Sequence, residues 1–109
     1  MNKNLKIGFM GTPEFAVTSM EALIRAGYEV VVAITAPDRP AGRGRKLNAS
    51  AIKTAALKHE IPVLQPERLK DPGFLEELKE FGVNLLVVVA FRMLPRVVWE
   101  MPKYGTFNL

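Results

Sequence analysis

Leu5-Lys6-Ile7-Gly8-Phe9-Met10-Gly11-Thr12-Pro13-Glu14-Phe15 is the stretch whose reading decides the fold. An apolar, strand-like run from Leu5 to Met10 is ended by Gly11. Thr12 is placed to cap a helix whose first position is Pro13, where a missing N–H costs nothing. That helix is expected to run to Ala26, with Gly27 as its stop. Ala16, Met20, Leu23 and Ile24 recur at the spacing of one buried helical face. A strand that turns directly into a helix is the first half of a βαβ unit, and the rest of the chain repeats the pattern.

Glu29 to Thr35 reads as a second strand, apolar on both sides, which fits burial between two helical layers. Ala36 to Asn48 holds two Pro and two Gly and reads as a loop of 13 residues, long enough to imply a function of its own. Ser50 can cap a second helix through Glu60, and Ile61 to Leu64 gives a short third strand. Asp71 as cap, Pro72 at the first position and Gly82 at the end bracket a third helix. Its apolar face is Phe74, Leu75, Leu78 and Phe81. Asn84 to Ala90 is the most hydrophobic strand, hence the centre of the sheet. A short helix over Pro95 to Glu100 and a strand entered at Thr106 complete the chain.

This alternation predicts an α/β fold: a Rossmann-like open parallel sheet of order 3-2-1-4-5, with right-handed crossovers and helices on both faces. Leu109 falls only a few residues into the last strand, so the sheet reads as truncated there and the chain as a piece of a longer protein. The direction of the winding reverses between the first and fourth strands. Open α/β sheets bind ligands at the carboxyl ends of the strands flanking such a reversal. Here those ends are Gly11 to Phe15 and Ala90 to Leu94.

Composition removes several classes of function. At 109 residues, 49% hydrophobic and 24% charged, the chain is globular and of single-domain size. It has no cysteine, which excludes disulfides, thiolate metal sites and cysteine nucleophiles, and no metal is expected. The longest apolar run, Leu85 to Phe91, falls far short of the roughly 20 residues that cross a bilayer. Met1 to Asn4 lacks the apolar stretch of a signal peptide, and a cytoplasmic location without membrane contact is expected. The net charge of +4 is local: without Arg39, Arg43, Arg45 and Lys46, basic and acidic residues balance at 11 each. Four cations among Gly and Pro, with no carboxylate between them, suit phosphate contacts by an adaptable segment. A solvated connection is the alternative, and nucleic-acid contact is favoured over it.

Gly8-Phe9-Met10-Gly11-Thr12-Pro13 lacks the G-x-G-x-x-G fingerprint, and Thr35 stands where a ribose-binding carboxylate would end the second strand. A nicotinamide cofactor is therefore not expected. The free N–H groups at this helix start remain able to hold a polar ligand group. At about 100° per residue, Phe15 projects outside the stripe of Ala16, Met20, Leu23 and Ile24. It is either packed over the small Ser19, Ala22 and Ala26 or a wall of the ligand site. His59, the only histidine, closes the second helix and reads as a structural surface residue.

Two stretches then coincide with a known family. Phe9-Met10-Gly11-Thr12-Pro13-Glu14-Phe15 and Ala36-Pro37-Asp38-Arg39-Pro40-Ala41-Gly42-Arg43-Gly44 closely resemble the amino-terminal half of the methionyl-tRNA formyltransferase catalytic domain. Pro62-Val63, Gln65-Pro66, Val87 to Ala90, and Glu100-Met101-Pro102 through Gly105 and Asn108 are similar to it as well. The resemblance implies formyl transfer from 10-formyltetrahydrofolate to the amino group of methionine on initiator tRNA. Residues 1–109 would be the amino-terminal portion of the formyltransferase domain. The rest of that domain and a carboxy-terminal tRNA-binding barrel domain would follow, and the full-length enzyme is expected to be a monomer.

By the same resemblance Asn108 matches the first member of an Asn, His, Asp catalytic set. The histidine would lie two positions later and the aspartate further on, so the 109-residue chain alone is expected to be inactive. Phe91, Arg92, Met93 and Leu94 resemble the loop over the folate pterin, one residue shorter than the family pattern. Gly11, Thr12, Pro13 and Phe15 would form the methionyl pocket, and Arg39, Arg43, Arg45 and Lys46 would meet tRNA. Two rivals are an amino-sugar formyltransferase, which has no evident use for the basic segment, and a non-enzymatic RNA- or nucleotide-binding module.

Overall fold

Period-two alternation along the central strands divides the core into two layers. A computed structural model describes residues 4–41 and 46–109, with the side chains of Ala41 and Lys46 outside that description. Along the chain it contains β1 (Lys6–Gly11), α1 (Glu14–Arg25), β2 (Glu29–Ile34), β3 (Arg39–Ala41), β4 (Lys46–Asn48) and α2 (Ala51–Lys58). These are followed by β5 (Val63–Leu64), α3 (Pro72–Glu80), β6 (Leu85–Val89), α4 (Arg96–Trp99) and β7 (Thr106–Asn108). Ile7, Phe9, Val87 and Val89 point to the layer built with Ala16 and Met20 of α1 and Ile52 and Ala56 of α2. Met10, Leu86 and Val88 point to the other, built with Phe74 and Leu78 of α3 and Val98 of α4. In β2 the alternation slips, because the register against β1 shifts between Ile7 and Gly8. Val30 and Ala33, three apart, therefore share the first layer, while Val32 and Ile34 face the second.

The main sheet has the order β5-β2-β1-β6-β7 and is parallel throughout. Counting its strands alone, this is the predicted 3-2-1-4-5. The labels differ because the segment read as a loop contributes two short strands, β3 and β4, which pair antiparallel outside the main sheet. At three residues each, they are too short to carry an alternating pattern, and Pro40 fits the open edge of a two-stranded ribbon.

Two helix boundaries also correct the sequence reading. Thr12 does not cap α1: Pro13 is the N-cap, with φ −74° and ψ 167°, and no side chain bonds the first turn. Proline fixes φ but leaves ψ free, so it fits an extended cap as readily as a first helical turn. Helix α2 stops at Lys58 rather than Glu60, which adopts φ 60°. There Glu60 N donates to Leu57 O and Ile61 N to Ala56 O, the same left-handed closure that Gly27 and Gly82 provide for α1 and α3. Elsewhere the caps follow the sequence. Ser50 Oγ accepts from Lys53 N at 3.0 Å, and Asp71 Oδ1 accepts from Gly73 N at 3.0 Å.

Candidate active site

The winding reverses between β1 and β6, whose carboxyl ends lie side by side with Gly11 opposite Val89. Gly11 is required by close approach: a Cβ there would meet Ala16 Cβ at 3.0 Å and Val89 O at 3.1 Å. Past Val89 the chain leaves the sheet through Ala90, which holds φ 50°. A non-glycine residue in that region is strained by about 1 kcal/mol or more, and such strain concentrates at ligand sites. Next to β6, Asn108 of β7 pairs with Val88, and Leu109 N donates to Val88 O at 2.8 Å. Between the exit from β6 and the end of β7 lies a cleft of about 580 Å³. Phe91, Arg92, Met93, Leu94, Trp99, Thr106 and Asn108 line it, and its size suits a small organic ligand. The side of β7 toward α1 holds another cleft, of about 540 Å³, walled mainly by apolar residues such as Ile7, Leu23, Val87 and Phe107. It offers no titratable group except the Tyr28 phenol.

Arg92 fixes the segment after β6. Its guanidinium donates to Pro66 O at 2.8 Å and Glu67 O at 3.0 Å, and lies 4.9 Å from the centre of the Phe91 ring. Burial, and then the charge of Arg39, draw its pKa below the ordinary arginine range. Arg39 and Arg92 share a smaller cleft of about 350 Å³ with Pro37, Asp38, Pro40 and Glu67. This cleft joins the base of the β3–β4 ribbon to the segment after β6.

The ribbon's base is held by polar bonds. Asp38 Oδ2 accepts from Lys53 Nζ at 2.7 Å, and Asp38 Oδ1 accepts from Gln65 Nε2, also at 2.7 Å. Gln65 Nε2 also donates to Ala36 O at 3.1 Å. These partners, Lys53 first, hold the Asp38 carboxyl below the usual carboxylate range. One step upstream, the fully buried Thr35 hydroxyl is 2.6 Å from Ser50 Oγ, so the α2 cap also locks the end of β2. Arg39 is exposed on β3, and the Lys46 backbone pairs with Ala41. Arg43 and Arg45 lie outside the described residues.

Phe15 is 64% exposed, so the core alternative for this residue does not hold. Gly11, Thr12, Pro13 and Phe15 are not among the residues lining the 580 Å³ cleft. The structure therefore brings Asn108 together with Phe91 to Leu94 and leaves the β1–α1 turn on the neighbouring strand end. His59 Nε2 lies 2.8 Å from Glu21 Oε2, tying α2 to α1 well away from the cleft. This agrees with its structural reading. Sequence reasoning did not single out Trp99 or Thr106 for the site; Thr106 Oγ1 donates to Trp99 O at 2.9 Å and joins β7 to α4. The single Trp of the chain, set one turn beyond the Phe91 to Pro95 segment, was the available signal. Asp38, Lys53 and Gln65 carried no local signal, since their bonds span 15 to 27 residues.

Among the described residues no group of three or more His, Cys, Asp or Glu is arranged to hold a metal. No helix among them is long and apolar enough to cross a membrane. The family model described as formyl transferase matches residues 5–109. The chain belongs to the formyl transferase family. Methionyl-tRNA formyltransferase of Bacteroides fragilis is 55% identical over 107 residues, covering 98% of this chain and 33% of that protein. That of Flavobacterium johnsoniae is 58% identical over 107 residues, covering 98% of the chain and 34% of its own length. The more distant enzyme of Porphyromonas gingivalis is 48% identical over 107 residues. The chain thus spans about a third of the length of the curated relatives it matches. In formyl transferase terms, the cleft beside Asn108 lies at the strand ends where this sheet topology is expected to take its ligand.

Proposed function

We propose that the whole protein transfers a formyl group from 10-formyltetrahydrofolate to the amino group of methionine on initiator tRNA, in the cytoplasm. The carrying observation is that Asn108 and the Phe91 to Leu94 segment line one cleft at the reversal of the sheet. The names of the relatives support the same reading. On this reading residues 1–109 are the amino-terminal portion of the catalytic domain, and a tRNA-binding domain lies in the remainder of the protein.

The cleft suits the donor. Phe91, Met93, Leu94 and Trp99 offer apolar walls for a flat ring, while Arg92, Thr106 and Asn108 supply polar edges. When bound, the folate supplies an activated one-carbon unit. Asn108 donates its amide N–H to the formyl oxygen as negative charge develops there under attack by the neutral amine, an effect that typically lowers the barrier by about 3 kcal/mol. The new C–N bond forms at the amine and the formyl C–N bond to the folate nitrogen breaks. The proton lost by the amine must therefore pass to the departing tetrahydrofolate nitrogen through a group that titrates near neutral pH. His59 is committed to Glu21, so this base is assigned to the histidine that the resemblance puts beyond Leu109. The 109-residue chain alone is then inactive. Phe15, exposed beside Gly11, Thr12 and Pro13, forms the wall for the methionyl side chain. Arg39, Arg43, Arg45 and Lys46 meet tRNA phosphates.

The test is an assay of the full-length protein with 10-formyltetrahydrofolate and two acceptors, methionyl-tRNA and an amino sugar. Formylated methionyl-tRNA is the expected product. Preferential formylation of the sugar would overturn the reading.

A further inference from the structure

Asp38 is the only acidic residue between Glu29 and Glu60 in a sequence that holds Arg39, Arg43, Arg45 and Lys46, and it stands at the base of the β3–β4 ribbon. A carboxylate so placed would ordinarily pair with a cation of its own segment. Each such pair would remove one cation from phosphate binding. The structure directs both oxygens elsewhere: Lys53 Nζ takes Oδ2 and Gln65 Nε2 takes Oδ1, each at 2.7 Å. Lys53 comes from the first turn of α2, where its own N–H is capped by Ser50. Ser50 in turn meets the buried Thr35 at the end of β2. Gln65, just past β5, also holds the Ala36 carbonyl. Two elements therefore converge on one carboxylate, α2 through Lys53 and the end of β5 through Gln65, and the α2 cap ties the first of them to β2. Lys53 and Asp38 are both half-buried, so salt screens this pair less than it screens the exposed Arg39.

We propose that Lys53 is a positioning residue for tRNA recognition: with Gln65 it withholds the Asp38 carboxylate from the ribbon's own arginines and fixes the ribbon's base against α2. This rests on the reading that the ribbon meets tRNA. Lys53, although a fifth cation near the segment, is neutralised and is not itself a phosphate ligand. The freed carboxylate is what does harm when Lys53 is lost, so removing that carboxylate as well restores binding. A pair that served stability alone would show its loss and its rescue in melting temperature, with the KM for methionyl-tRNA unmoved in every variant.

The experiment uses the full-length protein with Lys53→Met, Lys53→Arg, Asp38→Asn, the double variant Lys53→Met/Asp38→Asn, and Arg43→Ala as a control. The KM for methionyl-tRNA should rise roughly tenfold in Lys53→Met, with kcat and the KM for folate within about twofold. Lys53→Arg should stay near the parent, and the double variant should recover most of the loss. A double variant as poor as Lys53→Met overturns the proposal. If Lys53→Met proves too unstable to assay, Lys53→Gln, alone and with Asp38→Asn, carries the same comparison under the same criterion. Arg43→Ala separates the two levels of the argument. If it leaves tRNA affinity and its salt dependence unchanged, the tRNA role of the ribbon fails. If it weakens binding while the double variant shows no rescue, only the role given to Lys53 fails.

Discussion

Two connections leave the carboxyl edge of the sheet, one after β2 and one after β6, on either side of β1. Both carry arginine, and Arg39 and Arg92 face each other across one small cleft. Their anchoring differs. After β2, the base of the ribbon is tied by side chains through Asp38, Lys53, Gln65, Thr35 and Ser50. After β6, a single arginine grips two backbone carbonyls and lies against a phenylalanine ring. Side-chain anchoring fixes the base of the ribbon through bonds that span 15 to 27 residues. Backbone anchoring fixes the whole short segment, as a small-molecule site requires. On the proposed function, the sheet edge would present a wall for a flat ligand next to a platform for a charged one.

The comparison is sharpened first at Asn108, on the side that the proposed function gives to folate. Asn108→Ala in the full-length enzyme should lower kcat by about 100-fold while leaving tRNA affinity intact. Near-normal turnover would remove Asn108 from the reaction. Arg92→Ala should loosen the segment after β6 and raise the KM for folate about tenfold, with a smaller change for tRNA. Equal changes for both substrates would mean that the two connections do not act separately.

A several-fold rise in KM for methionyl-tRNA is expected for Phe15→Ala, with stability changed by no more than about 0.5 kcal/mol, because the ring is exposed. A large fall in melting temperature with normal kinetics would instead make it a packing residue. Arg43→Ala should weaken tRNA binding a few-fold and reduce the salt slope by about one unit, as for one lost phosphate contact. Folate binding should not move.

The smallest effect concerns pH. The Asp38 pKa is depressed in the folded state, so the stabilising bond is present above the ordinary aspartate value of about 4 and is lost as pH falls through the depressed one. The tRNA side should therefore weaken in acid before the Arg92 grip, which has no carboxylate to protonate. Hydrogen exchange at Gln65 and Lys53 across an acid titration would show whether the two separate.

The strands and their order were legible because they depend on patterns local in sequence. Val87 to Ala90 is apolar whichever way it faces, and Asp71-Pro72 announces a helix by itself. The ribbon was not legible, since three-residue strands are defined by their partner rather than by their composition. Pro13 was misplaced by one position because φ alone does not separate an N-cap from a first turn. Glu60 was missed because the left-handed closing position of α2 is filled by a residue that does not announce it. In the site, Asn108 and Phe91 to Leu94 came from resemblance. Trp99 and Thr106 needed the fold, because a hydroxyl bonded to a carbonyl 7 residues away has no signature in one dimension.

Ala90 carries a last consequence, for anyone who would engineer this protein. With φ 50°, it sits where glycine is at ease, and its methyl group imposes a cost. Ala90→Gly would relieve that strain and simultaneously enlarge the range of directions in which the following segment can depart. The methyl group acts as a steering constraint that sacrifices comfort for aim. A screen that selects on heat resistance alone would favour the glycine and drift away from a well-formed cleft. A screen on turnover would keep the alanine.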